Sequence, residues 1–370
     1  MGFIAKTTSG GYRVRWRTPE GAARSKTFPR GDREKANNFL TSVEHSKLQG
    51  AYIDVRAGRV TFGAFAAAWQ SSQIHRESTA LVVDSHLRNH MLPAFGKRPI
   101  ASIRPSEVQA WIRGLGEQLS PSTVRVVVQH ARSIFRAAVR DRLIASSPCD
   151  GAKVPQSGQR RVEPLDTAAV LALIDALPDR YRGLAVLGAG AGLRPGEALG
   201  VTLNEIDFLR RSLTVRQQLV TLPGSSPRLG EPKTADSERT IPLPNVVTQA
   251  LAWHLERFKP GELGLVFTQE DGAPIARNRF GDVWRATVKR AGLPATVRFH
   301  DLRHFYASAL IRHGESVKTV QARLGHKSAV VTLDTYGHLW PDSEDRTRRA
   351  LDEVLGGPAS PTRHAAERAE

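Results

Sequence analysis

The chain has 370 residues, with 53 Lys and Arg against 36 Asp and Glu, for a formal net charge of +17. A balance that basic favours a polyanionic partner, nucleic acid ahead of an anionic membrane surface. One cysteine, Cys149, excludes an internal disulfide and a multi-cysteine zinc site. No apolar run approaches the ~20 residues of a spanning helix, and the opening "MGFIAKTTSGGYRVRW" has no signal-peptide hydrophobic region. The expectation is a cytoplasmic protein of two or three domains bound to DNA or RNA.

In chain order, "GYRVRWRTPEGAARSKTF" opens with strict alternation. Tyr12, Val14 and Trp16 point one way and Arg13, Arg15 and Arg17 the other, the period of a strand. "TPEG" signals a turn, and "AARSKTF" returns as a strand carrying Arg24 and Lys26. "DREKANNFLTSVEHSKLQG" reads as a helix from Asp32 to Gly50. The arginines then form a comb on the open face of a small helix-backed sheet, suited to phosphates and base edges in a major groove; the rival is a solvated edge hairpin. From about Arg59 to Val154 the spacing turns helical. The longest helix, "SPSTVRVVVQHARSIFRAAVRDRLIA", has an apolar stripe of Val124, Val127, Val128, Ala131, Ile134, Phe135, Ala138 and Val139. Arg125, Arg132, Arg136 and Arg140 lie off that stripe, and the last three repeat every four residues on one face. Arg125 and Arg132 are candidate DNA contacts. "GAKVPQSGQRRVEPLD" reads as a linker. Beyond it, helices flank two expected strands, "RRSLTVRQQLVTL" and "SERTIPLP", joined through "GEPKTAD", and the end of the chain lacks periodicity.

Four segments of this last region are unusual together: "AGLRPGEALG" with Arg194, "GEPKTADSERTIPLP" with Lys233, "HDLRHFYASALI" with His300 and Arg303, and "LGHKSAVVTLDTYGHL" with His326 and Tyr336. The set is two guanidinium groups, an ammonium, two imidazoles and a phenol. Two arginines with further donors suit a phosphodiester and the extra negative charge of its pentacoordinate transition state. A phenol with a pKa near 10 becomes a useful nucleophile when cations stabilise its phenolate. The implied reaction is attack of a tyrosine on DNA phosphorus.

These segments resemble the tyrosine recombinases, the phage-type integrases in particular. "GLRPGE" is similar to the family's first-arginine box, the lysine between strands to its hairpin lysine, "HDLRH" to its H-x-x-R box, and "LGHKSAVVTLDTYGH" to its terminal segment with the nucleophile. The likeness spans about Pro164 to Leu355. It implies a multidomain, mainly α protein with small β-sheets (α+β). Residues 1–58 would be an arm-type DNA-binding module, a three-stranded sheet plus helix. Residues 59–154 would be a helical core-binding domain, 155–163 a linker, 164–355 a mixed α/β catalytic domain and 356–370 a mobile tail. Tyr336 would attack the scissile phosphate to give a 3′-phosphotyrosyl link, and Arg194, Arg303 and His326 would grip the non-bridging oxygens. Lys233 would protonate the leaving 5′-oxygen. His300 would help accept the phenolic proton or orient the phosphate. The resemblance also implies no metal and no cofactor, core- and arm-type double-stranded attachment sites, and a homo-tetramer passing through a Holliday junction. A host DNA-bending factor and an excision factor are candidate further partners; a membrane is not.

Several rivals share these residues. His300 and His304 are spaced like zincin ligands, but that reading leaves Arg194 and Lys233 unexplained. "GAGAGLRPG" lacks the spacing of a dinucleotide-binding loop. "ALIRHGESVKTVQARLGH" has the outline of a helix-turn-helix about Gly314 and admits a non-catalytic DNA-binding regulator. A type IB topoisomerase would use similar chemistry, although relaxation needs no second recognition module. Tyr306, inside an amphipathic helix beside Phe305, reads as core rather than as the nucleophile.

Overall fold

The computed structural model describes residues 2–50, 52–54, 56–156, 161–232, 237–261, 263–340 and 344–355. The chain forms two compact units, residues 1–159 and 160–370.

The first unit holds two separate apolar cores. Strands β1 (Phe3–Lys6), β2 (Tyr12–Arg17) and β3 (Ala23–Phe28) make an antiparallel sheet in that order. The alternation in β2 is realised: Val14 and Trp16 are buried while Arg13, Arg15 and Arg17 are exposed. Helix α1 (Arg33–Leu48) covers the buried face with Ala36 and Val43. Trp16 donates its indole N–H to the Tyr52 hydroxyl at 2.7 Å, drawing the chain after α1 into this core. The three-stranded sheet is as expected, with β1 as the strand the sequence did not place, because "FIAK" is too short to show a period.

The second core belongs to α2 (Phe62–Ser72), α3 (Glu77–His86), α4 (Leu92–Phe95), α5 (Pro105–Gln118) and α6 (Pro121–Arg140). Ser120 caps α6, accepting the Thr123 N–H, and the predicted stripe is buried along it apart from Val139, which is partly buried. Between α3 and α4 the helix widens into a π turn over Leu87–Met91. Pro93 sits in the first turn of α4. It has no N–H to donate and crowds the carbonyl four residues back, so the uniform helix that the periodicity suggests cannot run through.

The second unit is mixed. Around α8 (Asp179–Ala191) pack α7 (Thr167–Ala176), α10 (Asn245–Arg257) and α12 (His300–Arg312), with α11 (Arg277–Arg290) against α7. The glycine-rich stretch is a packing seam. A Cβ on Gly188 would lie 3.0 Å from both Leu302 and Phe299, so a larger residue there would push α12 or these side chains away from α8 by a few tenths of an ångström. β4 (Ile206–Asp207), β5 (Ser212–Val215) and β8 (Arg239–Pro242) form one sheet, and β6 (Gln218–Val220) pairs with β7 (Arg228–Gly230) in another. The two predicted strands resolve into three, β5, β6 and β8, and two short strands, β4 and β7, lie outside them. The first stretch breaks because Arg216 and Gln217 leave the ladder, and "PGSSP" then turns β6 back onto β7. Three further helices, α13 (Val317–Leu324), α14 (Ala329–Tyr336) and α15 (Glu344–Leu355), close the described chain. A smaller apolar cluster of Tyr306, Ala307, Ile311, Val320, Leu324 and Tyr336 ties α12 to α13 and α14. The expected tail, 356–370, lies outside the described residues, as does 157–160 of the linker.

Candidate active site

Four elements of the second unit converge on the predicted residues. The first is the turn from α8 into α9 (Pro195–Leu199). Gly192 ends α8 in the left-handed region, at φ 65°, where a Cβ would also strike the Tyr306 ring. Leu193 is buried, and Pro195 opens α9 with its preset φ. Arg194, between them, is held in extended conformation by Glu197, which accepts the Arg194 backbone N–H at 3.0 Å and its Nη1 at 2.7 Å. Arg194 Nη2 reaches the Gly325 carbonyl at 3.3 Å.

Glu197 is only 4% exposed and also receives Arg239, through Nη2 at 2.8 Å and Nη1 at 3.3 Å. Burial by itself would raise the carboxyl's pKa; the hydrogen bond and charge of Arg239, then the charge of Arg194, outweigh it and hold the group at about 2. Arg239 stands at the start of β8 and donates Nε to the Arg323 carbonyl at 2.9 Å and Nη1 to the Ser237 carbonyl at 2.9 Å. One buried carboxylate thus joins the first-arginine turn to the strand that follows the lysine segment, and through it to the end of α13.

Arg303, on α12, is 1% exposed and donates to the carbonyls of Gly192, at 2.7 Å, and Leu324. Burial and the charge of Arg194 lower its pKa to about 9, which leaves it a cation at neutral pH. His326 follows Gly325, left-handed at φ 62°, and its Nδ1 lies 2.9 Å from the buried Thr332 hydroxyl. Burial, then the charges of Arg303, Arg194 and Arg239, lower His326 to about 4. His300 is likewise lowered to about 4, by burial and then His304, Arg303 and Arg194.

Tyr336, the last residue of α14, is 1% exposed, and its ring lies parallel to His326 with centroids 6.4 Å apart. Burial raises the phenol to about 12 against the opposing pull of Arg303 and Arg194. Its hydroxyl is 2.8 Å from His304 Nδ1. Arg194, His300, Arg303, His326 and Tyr336 therefore fall in one neighbourhood. Lys233 lies outside the described residues, in the segment between β7 and β8. Sequence reasoning missed Glu197, Arg239, His304 and Thr332. "RPGE" did carry the signal for Glu197, an acid three residues after an N-cap position.

The depressed histidines fix a pH response. Folded His300 and His326 bind a proton only near pH 4, whereas the unfolded chain does so near 6.5. Between these values the unfolded state holds more protons, so stability is full above about 6.5 and falls as the pH drops toward 4. A His300→Gln, His326→Gln double variant should show a flatter dependence of melting temperature across that window, by an amount equivalent to roughly 1–3 kcal/mol at pH 4.5. Parallel curves for variant and parent would contradict the assignment.

The candidate DNA contacts divide. Arg13, Arg15 and Arg17 share the open face of β2. Arg24 and Lys26 pair across the strand with Trp16 and Val14, placing them on the helix-backed side. Arg24 is bound to Asp54, and the Lys26 ammonium sits 4.4 Å over the Phe39 ring. On α6, Arg125 is exposed, while Arg132 is partly buried and donates to the Ala152 carbonyl at 2.9 Å. The glycine-rich stretch forms the end of α8, closed by Gly192. The helix-turn-helix outline is α12, a turn at Gly314, and α13 capped by Ser316, so it belongs to the scaffold of Arg303 and His326.

A tyrosine set among arginines and neutral histidines, on this fold, suits attack of a phenol on a phosphodiester. The chain belongs to the phage integrase family of tyrosine recombinases: the model of the Phage integrase family matches residues 163–342, and that of the Phage integrase central domain matches 62–154. It is similar to the tyrosine recombinase XerC-like protein of Caldanaerobacter subterraneus subsp. tengcongensis, 27% identical over 87% of this chain and 88% of that one. It is also similar to the ICEBs1 integrase of Bacillus subtilis, 26% identical over 74% of this chain and 76% of the relative. Among solved structures, the Tn1549 transposon integrase in complex with a circular intermediate DNA shares the fold at a TM-score of 0.70 and 24% identity, covering 80% of this chain and 99% of that one. A lambda integrase dimer bound to a COC′ core site does so at a TM-score of 0.61 and 17% identity, covering 92% and 97%. The enzyme is a tyrosine site-specific recombinase.

Proposed function

We propose that this recombinase integrates and excises a phage or another mobile element, cutting and rejoining attachment sites through Tyr336. The observation that carries the reading is the convergence of Arg194, Arg303, His326 and Tyr336 from four separate elements. Tyr336 attacks phosphorus and becomes linked to the 3′-phosphate, while the P–O5′ bond breaks and Lys233 gives the leaving oxygen its proton. Arg194 and Arg303 carry the charge that gathers on the non-bridging oxygens. With its Nδ1 accepting the Thr332 hydroxyl, His326 keeps its proton on Nε2 and offers it to the phosphate. Tyr336 and Arg303 are buried, so a phosphate reaches them by local opening when DNA binds, which keeps the nucleophile from stray chemistry in the free protein. The phosphotyrosyl link conserves the bond for rejoining, through a Holliday junction in a tetramer on DNA. A host bending factor and an excision factor would set direction.

Arg13, Arg15 and Arg17 support an arm-type role for the N-terminal sheet, and Arg125 a role on the core site. Deleting residues 1–58 should leave cleavage of an isolated core site intact, because none of the proposed catalytic residues is removed. It should cripple recombination between full sites, where one subunit must bridge two DNA segments and the gain from effective concentration disappears. Replacing the three arginines by alanine should lower the salt slope of arm-site binding by roughly 0.9 for each phosphate that they neutralise. Normal recombination of full sites by the truncated enzyme, with no footprint from the isolated segment, would show the sheet to be a solvated edge.

A further inference from the structure

We propose that His304, the last residue of "HDLRH", is the base that takes the phenolic proton of Tyr336 during attack and returns it during rejoining. This rests on the proposed role of Tyr336 and adds the partner of its hydroxyl.

The argument begins with the nucleophile. Burial raises the Tyr336 phenol to about 12, so it does not ionise at neutral pH unaided. The nearby arginines favour the phenolate but cannot accept a proton. The acceptor must be a neutral base within hydrogen-bond reach of the oxygen. His304 Nδ1 is 2.8 Å away, with the two rings close to edge-on, centroids 5.6 Å apart. His300, the residue that the motif nominates, stands perpendicular to His304, with centroids 4.9 Å apart. His326 turns its Nδ1 to Thr332 and lies parallel to the tyrosine ring rather than facing its hydroxyl.

His304 has the right state as well as the right place. Burial lowers its pKa from the ordinary histidine value; Asp301 opposes this and Arg303 adds to it. The ring is therefore neutral at pH 7, with its proton on Nε2 and the Nδ1 lone pair accepting the phenol O–H. As the P–O bond to Tyr336 forms, the proton passes to Nδ1, and the P–O5′ bond breaks with its proton supplied by the separate acid, Lys233. The imidazolium so made is offset by Asp301, which is itself fixed by the Arg298 backbone N–H at 2.7 Å. Rejoining runs these transfers backwards. Because Arg303 and His304 are neighbours on α12, an opening that admits a phosphate to one leaves the other beside the phenol. Among the described residues, this ring faces His300, Asp301 and Arg303 on its own helix and Tyr336 on α14.

The test uses full-length enzyme on a nicked core site, read by single-turnover cleavage. Formation of a covalent complex by the parent, and its loss in Tyr336→Phe, establishes the underlying reading first, so that a failure here concerns His304 alone. His304→Gln keeps a hydrogen-bonding group but cannot carry the proton; it should bind DNA like the parent and cleave ~10²–10⁴-fold more slowly. His304→Ala should be similarly slow and be rescued by added imidazoles, with rates that follow the pKa of the added base. A 5′-bridging phosphorothiolate, whose leaving group needs no acid, should restore Lys233→Ala but not His304→Ala. Parent-like cleavage by His304→Gln would reduce the contact to positioning. Indifference of His304→Ala to every imidazole, or its rescue by the phosphorothiolate, would overturn the assignment.

Discussion

Tyr336→Phe should bind its DNA site with parental affinity and form no covalent complex at all. The substitution removes one oxygen from a residue that is 1% exposed and keeps the ring beside His326. The stability change is confined to the hydrogen bond with His304, worth ~1 kcal/mol. Chemistry without the phenolic oxygen has no other route, because Tyr306 is packed against Gly192 in the apolar cluster of α12 and α13. Binding by gel shift and covalent trapping on a nicked site separate the two effects. An adduct that persists in the variant would move the nucleophile to Tyr306.

Arg239→Met should have the largest effect on stability. It strips a buried guanidinium from a buried carboxylate, leaving Glu197 with Arg194 as its remaining cation, and it removes the donors that Arg239 gives the carbonyls of Arg323 and Ser237. Breaking a buried ion pair from one side costs about 3–5 kcal/mol, because the partner's desolvation is no longer offset; the surviving Arg194 contact places the expected loss near the lower figure. Glu197→Gln added to Arg239→Met should recover part of it, since the stranded charge is then gone. Denaturant unfolding of the four proteins of this cycle gives the coupling directly. Additive losses would mean that the two side chains contribute separately. Cleavage should fall as well, because Glu197 aims Arg194 and Arg239 anchors the strand after the lysine segment.

The parts of the protein legible in sequence were those set by local rules. The β2 alternation and the α6 stripe follow from strand and helix periods, and both faces emerged as read. Tyr336, the proposed nucleophile, and the arginines and motif histidines that gather near it stood out in the sequence because covalent phosphodiester chemistry needs such groups together. What was not legible depends on contacts far apart in the chain. His304 shares a helix face with His300 four residues away, and nothing local says which of them meets Tyr336, 32 residues on. Arg239 lies 42 residues from Glu197, in a strand whose alternation marks it merely as inward-facing. Arg24 and Lys26 alternate just as the comb arginines do; only the register of β3 on β2, with α1 behind, puts them on the other side. The five-strand arrangement depends on turns, and the π turn on a proline inside an otherwise periodic stretch.

The central claim is that Tyr336 is made a nucleophile toward DNA by the groups gathered around it. Its most direct test is to trap the full-length enzyme on a core site nicked close to the crossover, digest the complex, and identify the peptide and the DNA end that are joined. The account predicts a single adduct, on the peptide containing Tyr336, linked to a 3′-phosphate with a free 5′-hydroxyl on the released strand. A link through Tyr306, a link to a 5′-phosphate, or strand cleavage with no covalent protein would contradict it.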